Sequence, residues 1–344
     1  MDVKRLLPNE AEASLRWDAF VYACPEATFF HRSAWQTVIN EAFRHTTYFL
    51  YAERNEEIFG VLPMAHVKSW LFGNALVALP FAVYGGVAAS SLEAVQVLEA
   101  EAQKLAAMLD VDHLEFRNLT ARHTDWPTQD IYVTFRKAII ADDEANLLAI
   151  PRKQRAMVRK GIKNQLKIQV DRSTERFFKL FADNVHRHGT PALPKRYFDM
   201  LLQTFGDDCE IMTVVDQNDR PLSSVLSFYF RDEVLPYYAG DDENARHLAA
   251  NDFKYWELMR HASRRGARIF DYGRSKVDTG PYAFKKNWGF EPQPLHYEYC
   301  LYKRDGIPQN NPNNAKYKYF IAAWRRMPIE LANWLGPYIV RNLG

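Results

Sequence analysis

The sequence predicts an α/β protein built as two domains in tandem, on three grounds. The order helix, three strands, helix, strand is legible twice along the chain. Its 344 residues exceed what one hydrophobic core usually organises. A composition of 47% apolar and 25% charged residues is that of a soluble globular chain, so two ordinary cores can be filled.

In the first half, SAWQTVINEAF (residues 33–43) reads as a helix, and TTYFLYAE, EEIFGVLPMAHV and LFGNALVALPF read as strands. SLEAVQVLEAEAQKLAAMLD then reads as a helix with Leu92, Val95, Leu98 and Ala102 on one face, followed by VDHLEFRN as a strand. Residues 69–92 carry no charge and are long enough to cross a bilayer. Gly73, Asn74, Pro80, Gly85 and Gly86 cut them into strand-sized pieces, so two buried strands are expected instead. The second half repeats the order: YFDMLLQTF as a helix, CEIMTVVDQ, LSSVLSFYFR and EVLPYYAG as strands, a helix over about residues 248–265, then ARIFDYG as a strand. The expected partition is residues 1–145, residues 146–305 with a basic linking helix, and a helical extension over 306–344.

In the linking segment PRKQRAMVRKGIKNQLKIQV, Arg152, Arg155, Arg159 and Lys163 fall on one helical face, with Ala156, Ile162 and Leu166 elsewhere. That face is either a solvated helix surface or a phosphate contact. The C-terminal KYKYFIAAWRRMPIELANWLGPYIVRNLG is amphipathic, rich in Trp and Tyr, and interrupted by Pro328 and Pro337. It either packs on the domains or inserts shallowly at a membrane surface.

Several chemistries lack their residues. A net charge of only +2 argues against a dedicated nucleic-acid binder. Cys24, Cys209 and Cys300 lie in no CxxC spacing, and the close pair His186 and His188 points apart on a helix, so neither a disulfide framework nor a metal site is expected. No GxSxG, Walker or Rossmann glycine pattern occurs. The N-terminus has acidic residues where a signal peptide needs an apolar run, so a cytoplasmic chain starting near Met1 is expected, with peripheral contact at the inner membrane as an option.

Two segments carry groups suited to a site. Residues 246–251, RHLAAN, are a degraded form of the R/Q-x-x-G-x-G/A loop that holds a CoA pyrophosphate on a helix N-terminus, and both glycines that allow close phosphate approach are missing. Residues 271–290, DYGRSKVDTGPYAFKKNWGF, place Asp271, Arg274 and Ser275 at the carboxyl end of a strand, where open α/β sheets gather ligand-binding groups. Phe284, Lys285 and Trp288 follow. The other reading of this stretch is a loop with solvated charges and aromatics packed on the sheet.

Over nearly its whole length, from FFHRSAWQTVINEAF through PRKQRAMVRKGIKNQ and LPKRYFDML to NDFKYWELMRHASRRGARIFDYGRS and YAFKKNWGF, the sequence resembles the FemAB family of aminoacyl and peptidyl transferases. It is most similar to the FemAB-like proteins associated with exosortase (PEP-CTERM) and exopolysaccharide loci. The resemblance implies two acetyltransferase-like (GNAT) domains in tandem and transfer of an aminoacyl group from a charged tRNA to an amine of a cell-envelope precursor, without metal or CoA. The family's Phe-Lys motif falls on Phe284 and Lys285, which implies an ammonium beside the reacting ester. Such a charge stabilises the oxyanion formed when an amine attacks.

From side-chain type, Asp271 is a candidate to orient the amine or accept its proton, and Arg274 to hold a carboxylate or phosphate. Ser275, Phe284, Trp288, Arg196, Tyr197, Tyr238, Arg155 and Arg159 complete the substrate-binding candidates. Members that use nucleotide-linked precursors place a lysine shortly after the Trp of the first helix; here Trp35 is followed by Gln36, Thr37, Val38 and Ile39, which implies another acceptor. No cofactor is expected. The donor substrate is aminoacyl-tRNA or acyl-CoA, and the acceptor a lipid- or nucleotide-linked sugar or peptide precursor. The rivals are an acyl-CoA-dependent N-acyltransferase and a non-catalytic component of exopolysaccharide assembly.

Overall fold

The structure, a computed structural model, describes residues 1–69, 73–307 and 315–342, with the side chains of 315–318 excepted. Residues 70–72 of the long apolar run, and residues 308–314 and 343–344 of the C-terminal extension, lie outside the described residues. The chain divides into two compact units: Met1–Tyr132, Pro294–Asn310 and Arg341–Gly344 form the first, and Val133–Gln293 and Asn311–Val340 the second.

The first unit opens with β1 (Asp2–Leu6), α1 (Ala11–Ala23), a 3-10 turn at Phe29–His31 and α2 (Trp35–Phe43). β2 (Thr46–Arg54) and β3 (Glu57–Ser69) make an antiparallel hairpin from Thr46↔His66 to Arg54↔Glu57. Its two-residue turn has positive φ at both Asn55 and Glu56, the combination that matches the twist of the flanking strands. β4 (Gly73–Val77) adds to β3, and the two-residue β5 (Ala88–Ala89) pairs β3 at Gly60 and Val61. Residues 75–89 of the apolar run are therefore largely buried, but only one strand there is of ordinary length, and residues 78–87 are irregular.

α3 (Leu92–Met108) starts at Ser91, whose hydroxyl accepts the Ala94 N–H at 3.2 Å. Its buried stripe is Ala94, Leu98, Ala102, Leu105 and Ala106, whereas Leu92, expected inside, is 71% exposed because it stands in the first turn, off that stripe. Gly60 on β3 makes room for the stripe, since a Cβ there would meet Leu98, Ala89 and Ala94 at 3.0 to 3.2 Å. α3 leads into β6 (His113–Asn118), parallel to β4 from Ala75↔His113 to Val77↔Glu115, and β7 (Thr128–Gln129) follows.

In the second unit, β8 (Tyr132–Ala138) precedes α4 (Asp143–Ala149), α5 (Arg152–Lys163), β9 (Lys167–Asp171), α6 (Glu175–Arg187) and α7 (Lys195–Phe205). The meander β10 (Cys209–Val215), β11 (Pro221–Phe230) and β12 (Glu233–Asp241) is antiparallel throughout. α8 (Ala245–Leu248) and α9 (Ala250–Arg264) cross to β13 (Ile269–Asp271), parallel to β12 at Glu233↔Ile269 and Val234↔Phe270. β14 (Ser275–Lys276), α10 (Gly280–Asn287) and β15 (Pro292–Pro294) come next. The core gathers Val158 of α5, Trp256, Leu258 and Met259 of α9, Phe135 of β8, Phe270 of β13 and Trp288.

Beyond β15 lie β16 (His296–Leu301), α11 (Ala315–Arg326) and α12 (Ile329–Val340). Pro328 separates the two helices as expected, but Pro337 sits inside α12, close enough to its end that little of the hydrogen-bond ladder follows it. Among the described residues no helix is long and apolar enough to cross a membrane.

The sheet orders are β1-β2-β3-β4-β6-β16-β7 and β14-β8-β13-β12-β11-β10-β9. Each repeats a three-strand antiparallel meander joined through a helix to a parallel fourth strand, with an antiparallel neighbour beyond it. That neighbour comes from the other half of the chain in each case: β16 pairs β6 in the first sheet and β8 pairs β13 in the second. Contiguous domains split near residue 145 are thus replaced by units that exchange a strand.

Candidate functional site

The last segment of the second unit's parallel pair forms a built turn. Past Val234 and Phe270 no further rung joins β12 to β13, and β13 keeps only its antiparallel neighbour, through Ile269↔Ala138 to Asp271↔Arg136 and the Tyr272 N–H to the Phe135 carbonyl at 2.9 Å. Gly273 takes φ +63. Asp271, fully buried, accepts the Gly273 N–H at 2.7 Å and the Thr134 hydroxyl at 3.1 Å on Oδ1, and Arg136 Nε lies 3.5 Å from Oδ2. The carboxylate that the sequence offered as an amine-orienting base is therefore committed to holding the turn and β8.

Lys285 secures the same turn from the other side. It stands in the last turn of α10, which opens at Gly280 with a proline in its first turn. Its ammonium donates to the carbonyls of Tyr272, Gly273 and Arg274 at 2.8, 2.9 and 3.1 Å, which engages all three of its hydrogens. Burial pushes its pKa down to about 7; the charge of Asp271 acts against that shift and Arg274 reinforces it. The three carbonyls favour the ammonium form.

Behind the turn, Tyr255, Tyr272, Phe284 and Trp288 pack with ring centroids 4.9 to 6.5 Å apart. Trp288 is fully buried and donates its Nε1–H to Asp252 Oδ1 at 3.0 Å, an atom that also receives Gln154 Nε2 of α5 at 3.3 Å. Burial raises the Asp252 pKa, with those two bonds opposing. Asp252 belongs to the first turn of α9, so one carboxylate ties α5, α9 and the segment after α10 together. Within the turn, the Tyr272 hydroxyl and Ser275 Oγ are buried without a hydrogen-bond partner among the described residues. Buried polar groups are normally paired, so both have unused capacity.

Of the other candidates, Arg274 is exposed, and its charge reaches Tyr238: burial raises the Tyr238 pKa, and the Tyr197 hydrogen bond and Arg274 work against that rise. The hydroxyls of Tyr238 and Tyr197 are 3.1 Å apart, with Tyr197 fully buried. Arg274, Tyr238 and Tyr197 thus lie near one another, and Arg196 faces outward on α7. Arg155 and Arg159 stay on the surface side of α5, whose buried stripe is Gln154, Val158 and Gly161. The residues 246–251 form a bend in which Ala249 takes φ +60 between α8 and α9, so alanine occupies a left-handed position that favours glycine.

Sequence reasoning missed the supporting residues. Thr134 and Arg136 of β8 are two apart, hence on one face of their strand, but their partner lies more than a hundred residues downstream. Lys254, fully buried, pairs with Asp241 at 3.0 Å, and Ser223 donates to the same oxygen. Lys254 and Asp241 were legible only as charges in a helix and at a strand end. Among the described residues no group of His, Cys, Asp and Glu is arranged to hold a metal ion.

With this geometry in place, comparison with known proteins bears on the fold. Residues 152–286 match the family described as "Acetyltransferase (GNAT) domain". No curated protein matches the sequence. Among solved structures, FemX is 15% identical with a TM-score of 0.65, the match covering 88% of this chain and 98% of that one. A tandem GNAT protein from the clavulanic acid biosynthesis pathway is 13% identical with a TM-score of 0.54, covering 89% and 99%. The C-terminal domain of a putative lysylphosphatidylglycerol synthetase from Agrobacterium fabrum is 11% identical with a TM-score of 0.55, covering 86% and 92%. At these identities the likeness is one of fold: a mixed α/β architecture of two GNAT-like units.

Proposed function

We propose that the chain is an acyltransferase of tandem GNAT architecture that forms an amide on an amino group of a cell-envelope or exopolysaccharide precursor, with its reacting centre at residues 271–275. The observation that carries this reading is the turn itself. Asp271 and Lys285 fix its backbone, so that Arg274 stands exposed at the carboxyl end of a parallel strand pair, with the unpartnered hydroxyls of Tyr272 and Ser275 buried in the same turn.

In the proposed reaction an amine attacks the carbonyl carbon of an aminoacyl ester. The new C–N bond forms, the C–O bond to the carrier breaks, and the leaving hydroxyl takes up the proton the amine gives off. Arg274 and the Ser275 hydroxyl are the donors for the oxyanion. Tyr238, kept protonated by burial and held by the fully buried Tyr197, is a hydrogen-bond donor to a substrate oxygen. Lys285, which the resemblance puts beside the ester, acts on the geometry described above as a positioning residue, because its hydrogens are held by three carbonyls.

An aminoacyl-tRNA donor is supported by α5, whose Arg152, Lys153, Arg159, Lys160 and Lys163 are exposed on a helix without an acidic residue. The acyl-CoA reading is supported by one observation, the left-handed Ala249 at the mouth of α9, which keeps the bend of a phosphate loop without its glycines.

The test incubates the purified chain with aminoacyl-tRNA or acyl-CoA and a panel of amines, and reads amide by mass spectrometry. The expected result is amide from the tRNA ester, with Arg274→Ala lowering kcat/KM by about 10²- to 10³-fold, the usual effect of removing one oxyanion donor. Amide from neither donor, or undiminished activity in Arg274→Ala, overturns the proposal.

A further inference from the structure

The first unit contains a cavity of about 190 Å3 that plays no part in the reaction above. It opens where that unit's parallel pair ends. Past Val77 and Glu115 the strands part, and the segment around Gly85 folds back on β6 through two 2.9 Å bonds, Gly85 N–H to the Arg117 carbonyl and Arg117 N–H to the Gly85 carbonyl. The end of β6 thus occupies, in the first repeat, the place that residues 271–275 occupy in the second.

The inner wall is neutral and fixed. His31 Nδ1 accepts the Thr28 N–H at 3.0 Å, so the ring hydrogen sits on Nε2, which donates to the Gly86 carbonyl at 3.2 Å. Asn118 gives its Nδ2 to Glu298 at 2.8 Å and turns Oδ1 to Gly86, where a Cβ would lie 2.2 Å away; Gly86, at φ +136, leaves that space open. His31 and Asn118 are 4% and 5% exposed, so this wall is built into the core rather than laid on the surface.

The rim carries one charge of each sign. Arg122 Nη2 donates to Glu26 Oε2 at 2.9 Å, and the two side chains are 19% and 52% exposed. The Arg122 backbone N–H is pinned by Glu298 at 2.7 Å, which fixes where the guanidinium starts. Arg117, also in the lining, has its guanidinium engaged by Glu115 at 2.7 Å and the Ala82 carbonyl at 2.8 Å.

An anion entering this cavity would take Arg122 and leave the exposed Glu26 to solvent, and a cation would take Glu26 and leave the mostly buried Arg122 guanidinium without its partner. A molecule carrying both signs exchanges one ion pair for two. The volume is below the roughly 300–1,000 Å3 of pockets for drug-sized ligands, so the occupant is small. We propose that this cavity binds a zwitterion of α-amino-acid size, its carboxylate on Arg122, its ammonium on Glu26, and a small apolar side chain against Val87, Leu119 and Tyr84. The site stands independently of the acyl-transfer reading.

Calorimetric titration of the full chain with L-alanine, L-valine and L-leucine tests it, with acetate, ethylamine and D-glucose as controls. At least one amino acid binds, and acetate and ethylamine bind at least tenfold more weakly. Glu26→Gln and Arg122→Gln each weaken amino-acid binding at least tenfold without lowering the melting temperature. Acetate or ethylamine binding as tightly as the amino acids overturns the proposal. So does glucose binding that survives in the double Glu26→Gln, Arg122→Gln protein, which would mark a neutral polyol site, and so does the absence of heat from every probe.

Discussion

Three carbonyl oxygens around one ammonium make Lys285 a structural keystone of its turn. In Lys285→Met the carbonyls of Tyr272, Gly273 and Arg274 lose their donor in a site where the lysine is 8% exposed, so a loss of about 1–3 kcal/mol is expected in denaturant unfolding. The pH dependence gives a second readout. With the folded pKa near 7 and the unfolded value at 10.5, the unfolded chain binds more protons between those limits, so this lysine makes stability rise with pH from about 7 toward 10.5. His123 in the first unit has the opposite sign. Burial works against its charge, but hydrogen bonds to Glu298 and Glu99 lift its pKa to about 9 from 6.5, so its contribution is full below pH 6.5 and fades as pH rises through 9. Unfolding midpoints from about pH 6 to 10 for wild type, Lys285→Met and His123→Gln separate the two slopes; parallel curves would refute both assignments.

At the scale of elements, α5 decides how the linking segment is used. Its buried stripe packs Val158 and Gly161 toward α9, and a Cβ on Gly161 would approach Phe253 Cβ to 2.7 Å. Gly161→Ala is therefore expected to cost about 1–3 kcal/mol as an overpacking change, measured by thermal or denaturant unfolding. The opposite face carries the cations. If it grips a tRNA, Arg155→Gln with Arg159→Gln weakens tRNA binding and flattens the dependence of log K on log salt by roughly 1.4 to 1.8, since each phosphate neutralised by a cation accounts for about 0.7 to 0.9 of the slope. An unchanged salt slope would leave the face as a solvated surface. The positions of Arg152 and Arg159 on one side were legible from helical spacing, whereas Ile162, 48% exposed, and the burial of Gln154 were not, because they depend on what α5 packs against.

At the scale of the whole molecule, the exchange of β8 and β16 sets where the chain can be cut. A fragment of residues 146–344 lacks β8, which gives the second sheet its neighbour for β13 and supplies Thr134 and Arg136 to Asp271. It is expected to show no cooperative unfolding transition by circular dichroism, while a fragment of residues 131–294 retains every strand of that sheet. A cooperative transition in the 146–344 fragment would refute the structural weight given to β8.

The sequence by itself determined the class and the repeat. Period-two and period-3.6 patterns, strand-sized apolar pieces and the glycines between them are local signals, and they place α2, α3, the two meanders and the strand ending at Asp271. The same local reading singled out residues 271–290 as a polar interlude at a strand end. Only the tertiary structure decided what those side chains do. Asp271 and Lys285 became holders of the turn because β8 and α10 bring them a partner arginine and three carbonyls, pairings that span from about ten to more than a hundred residues and leave no periodic trace. The cavity beside Gly86 was hidden for the same reason. Its walls come from residues near 28, 86 and 118, with Glu298 holding Asn118, and nothing in any one of those stretches marks it until the sheet brings them together.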